Sequence, residues 1–133
     1  MSIQEIRAGL GTNLATISGL RVSTDIPDSP NPPQAIIGIE NVSFDNAFGN
    51  GLTEYRFTVS LIASRVSERS AQRKLDEYTS NGANSVKLAI ESDKTLGGNA
   101  YDVRVTEMSN IGTVILGEVI YLAADFAVTV YSD

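Results

Sequence analysis

The stretch EYRFTVSLIAS, residues 54–64, decides the fold. Its apolar residues occupy every second position, at Tyr55, Phe57, Val59, Leu61 and Ala63. The positions between them are polar except Ile62, which interrupts the alternation. Because successive side chains of a strand point to opposite faces of a sheet, this pattern predicts a long strand with one buried and one wet face. The buried face needs a cover, which the helical pattern that begins at Ser67 can supply.

Length and composition restrict the class of protein. The 133 residues are 42% apolar and 20% charged, with 10 basic and 16 acidic residues and a net charge of −6. These values are typical of a globular chain, and we expect residues 1–133 to form a single domain. The chain has no run rich in Lys and Arg, which disfavours non-specific nucleic-acid binding because phosphate contacts need clustered basic residues.

The chain contains no cysteine and no histidine. Disulfides, thiolate or histidine catalysis and ordinary zinc sites are therefore excluded. Carboxylates remain, but none has a catalytic or calcium-loop spacing, and aspartates in turns usually shape the turn. We expect no enzyme activity, no cofactor and no metal. We also expect no signal peptide and no membrane span, since no basic–apolar leader or stretch of about 18 apolar residues is visible.

Residues 2–18 show the spacing of an amphipathic helix. Apolar residues recur every three or four positions, which places them in one stripe along a helix. Gly9 and Gly11 each disfavour a helix by about 1 kcal/mol relative to alanine, so we expect this helix to depend on packing. Gly19 is placed to end it. The members of the stripe are Ile3, Ile6, Leu10, Leu14 and Ile17.

Two segments predict exposed loops. Residues 25–33 hold all four prolines, whose fixed φ and missing N–H exclude a helix or an inner strand. Residues 45–51, DNAFGNG, end in an Asn-Gly turn signal. Each loop is either a plain connector or a contact for a partner, and Phe48 can instead anchor its loop in the local core. The candidate contact residues are Pro30, Pro32, Asp45, Phe48 and Asn50.

Residues 67–79 and 86–92 predict two further helices. Ser67 and Ser85 are suitable N-caps for them. Their apolar residues form narrow stripes, at Ala71, Leu75 and Tyr78 in the first helix and at Val86, Ala89 and Ile90 in the second. The first helix also carries the only basic cluster of the sequence. That cluster is either a solvated face with intrahelical ion pairs or a contact for an acidic neighbour, and it comprises Arg69, Arg73 and Lys74.

Residues 101–131 predict three strands, with a turn at residues 110–112 and strands at 114–121 and 122–131 after it. Shorter patterns at Val22 and residues 35–40 predict strands nearer the N-terminus. Strands that run together, with helices segregated from them, favour an α+β fold. We therefore predict a mostly antiparallel β-sheet with helices packed on one face.

The order of elements from residue 54 to residue 131 resembles that of the tail-terminator and head–tail joining (neck) proteins of long-tailed bacteriophages. The resemblance is carried by the alternating strand, the polar helix, a Gly/Asn break and the short helix. The segment DKTLGG and two strand sequences, YDVRV and FAVTV, complete it, at residues 93–98, 101–105 and 126–130. The segment 93–98 with the strand after it is the most family-like part.

This resemblance implies a structural protein of the virion with a tail-terminator-like fold. Such proteins assemble as a ring, usually a hexamer, on the end of the tail tube, where they stop polymerisation and provide the head-joining interface. The implied partners are further copies of the chain, the tail-tube protein and a head-completion or connector protein. DNA would pass through the pore without sequence-specific binding, and the chain would be assembled in the host cytoplasm. The alternatives are a tail-tube subunit, another neck component, a non-viral binding module or a small enzyme.

Overall fold

A computed structural model describes residues 3–17, 19–23, 33–44, 53–67, 69, 71–80, 85–98, 100–116 and 118–132. The helices and strands in chain order are α1 (Ile3–Leu14), β1 (Arg21–Ser23), β2 (Gln34–Ser43), β3 (Thr53–Arg65), α2 (Ala71–Thr79), α3 (Val86–Ile90), a 3₁₀ turn (Leu96–Gly98), β4 (Asp102–Leu116) and β5 (Val119–Ser132). The strands form one sheet in the order β1–β2–β3–β5–β4. β1 and β2 are parallel and the other neighbouring pairs are antiparallel. The predicted α+β class with a mostly antiparallel sheet is therefore confirmed.

Strand β3 corresponds to the strand predicted at residues 54–64 and lies in the middle of the sheet, between β2 and β5. Ile62, which interrupts the alternation, is buried in a separate cluster with Tyr121 and Ala123. The interruption thus marks a second, smaller apolar cluster on the opposite face, and the register shifts directly after it. The five alternating apolar residues are all buried, as predicted, and they are Tyr55, Phe57, Val59, Leu61 and Ala63.

Helix α1 is shorter than the predicted helix of residues 2–18. Beyond Leu14 the α-helical hydrogen-bond pattern ends. Thr16 N–H donates to the carbonyl of Asn13, three residues back, instead of to the residue four back. Gly19 then adopts a φ of +81°, a conformation that suits its predicted place after the helix. The apolar stripe is buried at Ile6, Leu10, Leu14 and Ile17, whereas Ile3 is exposed.

Helix α2 begins at Ala71, later than the predicted residue 67. The cause is the strand before it: β3 continues to Arg65, and Val66 N–H still donates to the carbonyl of Ile120 at 3.0 Å. The helix begins only after the chain has left the sheet. The following helix, α3, is also shorter than predicted, since it ends at Ile90 rather than at residue 92.

The start of α3 agrees with the prediction. The Ser85 hydroxyl oxygen accepts a hydrogen bond from Leu88 N–H at 3.3 Å, as an N-cap does. The three residues predicted to point inward are all buried, and they are Val86, Ala89 and Ile90.

The prediction of three strands in residues 101–131 is wrong, because β4 and β5 account for the whole region. Residues 110–112 form an irregularity within β4 and not a turn. Asn110 and Gly112 have φ values of +52° and +149°, and the register with β5 shifts between Ser109 and Gly112. Extra residues in a bulge are accommodated without ending the ladder. The chain reverses only after Leu116, which pairs with Val119.

The two faces of the sheet differ. One face, together with all three helices, forms the main apolar cluster, as predicted for helices on one face. We call this the covered face. Among the described residues, the opposite face holds the small apolar cluster around Ile62, and polar residues of β3 and β5 lie beside it. We call this the open face.

Candidate interaction surfaces

Five of the predicted contact residues belong to the two loops. Pro30, Pro32, Asp45, Phe48 and Asn50 lie outside the described residues. Their assignment as contacts therefore stays a prediction.

The predicted basic cluster lies on and just before α2. Arg69 and Arg73 are exposed, and Lys74 is half-buried. The same helix carries two exposed acidic residues, Asp76 and Glu77, so its surface has both signs of charge. This mixture is typical of a solvated helix face, and the proposed contact with an acidic neighbour stays a prediction.

The Tyr78 hydroxyl lies near charges of both signs on α2. Its pKa is raised above the ordinary value, first by burial and then by the Glu77 carboxylate, while Lys74 acts in the opposite direction. Another acidic residue, Asp76, accepts a hydrogen bond from the Gln72 side chain at 3.0 Å. The polar groups of this helix thus interact largely with one another.

The open face contains a depression of 610 Å³, which we call the trough. It crosses four strands, and the small residues Gly38, Ser60 and Ala123 leave its floor open. Register shifts in β2 and in β4 lie beside it, and such bulges bend a strand. The lining is mostly apolar in surface, and it comprises Ile36, Gly38, Ile39, Glu40, Thr58, Ser60, Ile62, Asn110, Thr113, Val114, Ala123 and Asp125.

Two carboxylates border the trough. Glu40, on β2, accepts a hydrogen bond from the Thr58 hydroxyl at 3.3 Å. Asp125, on β5, accepts one from the Asn110 side-chain amide at 2.9 Å. A single hydrogen bond leaves each carboxylate with further acceptor capacity. The trough is therefore an apolar surface with an acidic border.

The rest of the open face, which we call the polar end, is lined by charged and hydroxyl side chains. Arg56 pairs with Glu54 at 2.8 Å, and Arg104 lies 3.9 Å from Asp102. Glu107 lines a depression between them and the trough border. Together the trough border and the polar end carry five carboxylates and two guanidinium groups, at Glu40, Glu54, Asp102, Glu107 and Asp125 and at Arg56 and Arg104. Arg21 and Arg65 also stand on the open face, because the register aligns them with Ile62 and Tyr121.

Exposed branched apolar side chains lie at the end of the β4–β5 hairpin. Ile115 is 67% exposed, and its cross-strand partner Ile120 is 46% exposed. Val66, at 41%, continues the row because its N–H donates to the Ile120 carbonyl. Ile120 alternates with the buried Ala124, so the row belongs to the covered face. We call these three residues the tip row.

Charged residues flank the tip row. Arg69 is exposed and follows Val66 in sequence, and Glu118 is exposed in the hairpin turn. Arg65 is also exposed, but it pairs with Tyr121 of the open-face cluster, so its side chain stands on the open face. Sequence reasoning missed both the tip row and the trough. Only the interruption at Ile62 signalled an apolar patch on the open face, since the tip row depends on where the hairpin reverses.

The family-like segment 93–98 has a structural role. The Asp93 carboxylate accepts hydrogen bonds from the Thr95 hydroxyl at 2.7 Å, the Thr95 N–H at 3.1 Å and the Gly97 N–H at 3.0 Å. These bonds, the Thr95 hydroxyl first, lower the pKa of Asp93. Asp93 thus shapes a turn, in agreement with the expectation for aspartates in turns.

Helix α1 is fastened to this turn. Asn13 is buried, and its side-chain amide donates to the carbonyls of Ile90 at 2.8 Å and Asp93 at 3.0 Å. Gly9 lies so close to the turn that a Cβ atom there would be 2.7 Å from Leu96 Cβ. The glycine that disfavours the helix is thus required by the close approach.

Strand β4 is an outer strand of the sheet. Glu91, which follows α3, binds one of its N–H groups: Oε2 accepts from Val105 N–H at 3.0 Å, while Oε1 pairs with Lys87 at 2.6 Å. Burial raises the pKa of Glu91, but the hydrogen bonds from Lys87 and Val105 and the charges of Lys87 and Lys94 outweigh it, so the net shift is downward. Glu91 thus satisfies a backbone donor at the outer edge of the described sheet.

The described residues lack both a metal-binding cluster and a membrane-spanning helix. No group of three or more Asp or Glu side chains within this part of the chain is arranged to hold a metal ion. None of the helices described there has the length and hydropathy of a bilayer-spanning segment.

Comparison of the sequence with protein-family models and with curated proteins finds no match.

Proposed function

We propose that this chain is a structural virion protein that caps the end of a phage tail tube as a ring, stops its polymerisation and provides the head-joining interface. The observation that supports this most is the pair of apolar surfaces, the trough and the tip row. Contiguous apolar surface left in contact with water favours a protein partner. The order of elements in the resemblance is also compatible with the structure, since β3, α2, α3, the turn at Asp93 and β4 follow one another.

The charge of the polar end is compatible with a channel for DNA. Its three carboxylates and two guanidinium groups give it a formal charge of 2 − 3 = −1. We propose that the polar end faces the channel of the ring. A wall with the same sign of charge as the phosphate backbone does not retain DNA, because retention depends on basic groups that displace counterions. This assignment predicts that the chain does not bind duplex DNA at low salt.

The proposal predicts assembly that stops at one ring. Multi-angle light scattering of the purified chain should show a discrete species near six times 14.2 kDa. Electron microscopy should show one added ring on one end of tail tubes purified from a phage that carries this gene. A monomer in solution that still closes on tube ends also supports the proposal. A chain that stays monomeric at every concentration and leaves the tube ends bare overturns it.

The same electron micrographs distinguish a terminator from a tail-tube subunit. A tube subunit adds to its own kind without limit, and it would form long stacks in the absence of any other protein. Stacks instead of single rings would therefore replace the terminator assignment with the tube assignment.

A further inference from the structure

We propose that the hydrogen bond between the Glu91 carboxylate and Val105 N–H is an autoinhibitory contact. It occupies the outer edge of β4 and prevents that edge from pairing with β4 of a second copy of this chain. We call this bond the Glu91 contact. Its role does not depend on the proposed function, because an open strand edge attracts other chains whether or not the protein forms a ring.

Strand β4 presents the longer of the two outer edges of the described sheet. It spans Asp102–Leu116, whereas the other outer strand, β1, spans only Arg21–Ser23. The outer side of such a strand carries backbone N–H and C=O groups that can pair with another chain. β4 also carries exposed apolar side chains, at Met108, Ile111 and Ile115. An edge of this length and composition favours association unless something blocks it.

Glu91 blocks the edge near the start of β4. Its Oε2 accepts a hydrogen bond from Val105 N–H at 3.0 Å, and Glu91 belongs to the segment after α3 and not to the sheet. Because the N–H groups of a strand lie in the plane of the sheet, this N–H points away from β5. A strand added to the edge would need the same N–H for its own carbonyl. The carboxylate and an added strand therefore compete for one donor.

Lys87 holds the Glu91 carboxylate in this position. Oε1 pairs with Lys87 Nζ at 2.6 Å, one helical turn earlier, while Oε2 faces Val105. The Glu91 side chain is 17% exposed, so it is largely withdrawn from water. An added strand would have to displace a carboxylate that is held by two charge-assisted hydrogen bonds, which are the stronger kind.

The middle of β4 is protected by its shape. The register with β5 shifts between Val105 and Glu107 and again between Ser109 and Gly112. Bulges of this kind bend a strand and disfavour pairing along its edge. Residues 102–105 come before the first bulge and pair regularly with β5. The Glu91 contact thus covers a regular stretch that the bulges leave unprotected.

A second copy of β4 is the partner that the contact excludes. Two identical strands can pair antiparallel about a two-fold axis, so that each edge satisfies the other. The outer edge of β1 in another copy offers only three residues for a ladder. Length therefore favours β4 over β1 as the strand that an open β4 edge would bind.

Glu91→Ala tests the proposal by removing the acceptor. In the unmodified chain, Val105 N–H should be protected from hydrogen exchange measured by NMR. In a dilute solution of Glu91→Ala, the exchange of this N–H should be about tenfold faster or more. In a concentrated solution it should become protected again, and light scattering should show a species larger than any that the unmodified chain forms. Val128 N–H, in the interior strand β5, should stay protected throughout and reports that the sheet is intact.

Glu107→Ala is the matched control. It removes an exposed carboxylate from β4 itself and leaves the Glu91 contact in place, so it should change neither the exchange of Val105 N–H nor the mass. If Glu91→Ala does not fold, Lys87→Met supplies the same two measurements. Its effects should be in the same direction but smaller, because Glu91 then keeps its bond to Val105.

Adding Val105→Pro to Glu91→Ala tests which edge is used. Proline is tolerated in an outer strand where the N–H faces away from the neighbouring strand, and it removes the donor that a second copy would bind. The larger species should therefore disappear in the double variant. If it persists, association runs through another surface, such as the hairpin end, and the proposal is overturned.

The remaining outcomes separate the Glu91 contact from the proposed function. Faster exchange at Val105 without any larger species overturns the autoinhibitory role, since the bond would then be structural only. Loss of the ring in Val105→Pro alone would show that the ring already uses this edge, which overturns the contact as an inhibitor and leaves the ring standing. An unmodified chain that neither self-associates nor binds tube ends overturns the proposed function, while the changes in Glu91→Ala would still support the contact.

Discussion

Replacing Gly9 by alanine should destabilise the protein, although alanine is the better helix former. Alanine in a helix interior gains about 1 kcal/mol over glycine. At position 9, however, the new Cβ would lie 2.7 Å from Leu96 Cβ and 3.1 Å from the Leu96 carbonyl oxygen. Leu96 cannot easily withdraw, since it is buried and its φ is +49°, a conformation that leucine rarely adopts.

The magnitude follows from two opposing terms. Forcing an extra methyl group into a packed contact costs about 1–3 kcal/mol. Subtracting the gain in helix propensity leaves a net loss of roughly 0–2 kcal/mol, and we expect about 1 kcal/mol. At this chain length that corresponds to a fall of about 4 °C in Tm.

Gly11 provides the matched control on the same helix. A Cβ there would meet Val22 Cγ1 at 3.7 Å and Ile37 Cδ1 at 3.9 Å, which are ordinary contacts. Gly11→Ala should therefore stabilise the protein by about 0.5–1 kcal/mol. Because both variants change the same residue type in the same helix, their difference isolates the contact with Leu96.

Urea denaturation followed by far-UV circular dichroism measures both variants. The two midpoints should move in opposite directions from that of the unmodified chain, with unchanged m values. If Gly9→Ala is as stable as Gly11→Ala, or more stable, the close approach of α1 to the 3₁₀ turn is wrong.

Three further predictions concern the other contacts. Asn13→Ala should lower the free energy of unfolding by about 1–3 kcal/mol, measured in urea, because two carbonyls lose their shared buried donor; an unchanged midpoint would contradict this. Glu91→Gln should cost stability above pH 4.5, and the difference from the unmodified chain should disappear as the pH falls through the lowered folded-state pKa of Glu91. A stability difference between the two proteins that grows as the pH falls would contradict the lowered pKa of Glu91. Arg69→Glu with Arg73→Glu should impair ring assembly with an unchanged circular dichroism spectrum, whereas intact assembly would remove these arginines from the contact.

The sequence predicted those parts of the fold whose signal is local. The alternation in residues 54–64 identified β3 and its buried face, because a period of two determines which side chains share a face. The pattern after Ser85 identified α3 for a similar reason, since both its cap and its buried residues follow helical spacing. Both predictions use only the residues of the element itself, so they do not depend on which distant segment packs against it.

The errors arose where distant segments decide the conformation. The late start of α2 depends on Val66 bonding to Ile120, a partner far along the chain. The strand through residues 110–112 depends on β5, which continues the ladder on both sides of the bulge. From the sequence, Gly9 only disfavours helix α1. The contact that requires glycine there is with Leu96, which also lies far along the chain. The trough and the tip row have the same origin, as both depend on how four or three segments come together.

The position of β5 has a consequence for the order of folding. It is the latest of the five strands in the chain, yet it pairs on one side with β3 and on the other with β4. During synthesis, β3 and β4 therefore lack the strand that joins them until β5 has emerged, and each presents an unpaired edge meanwhile. Exposed edges of this kind invite pairing between nascent chains. A frameshift before Val119 would accordingly remove an interior strand and lead to aggregation instead of a slightly smaller sheet.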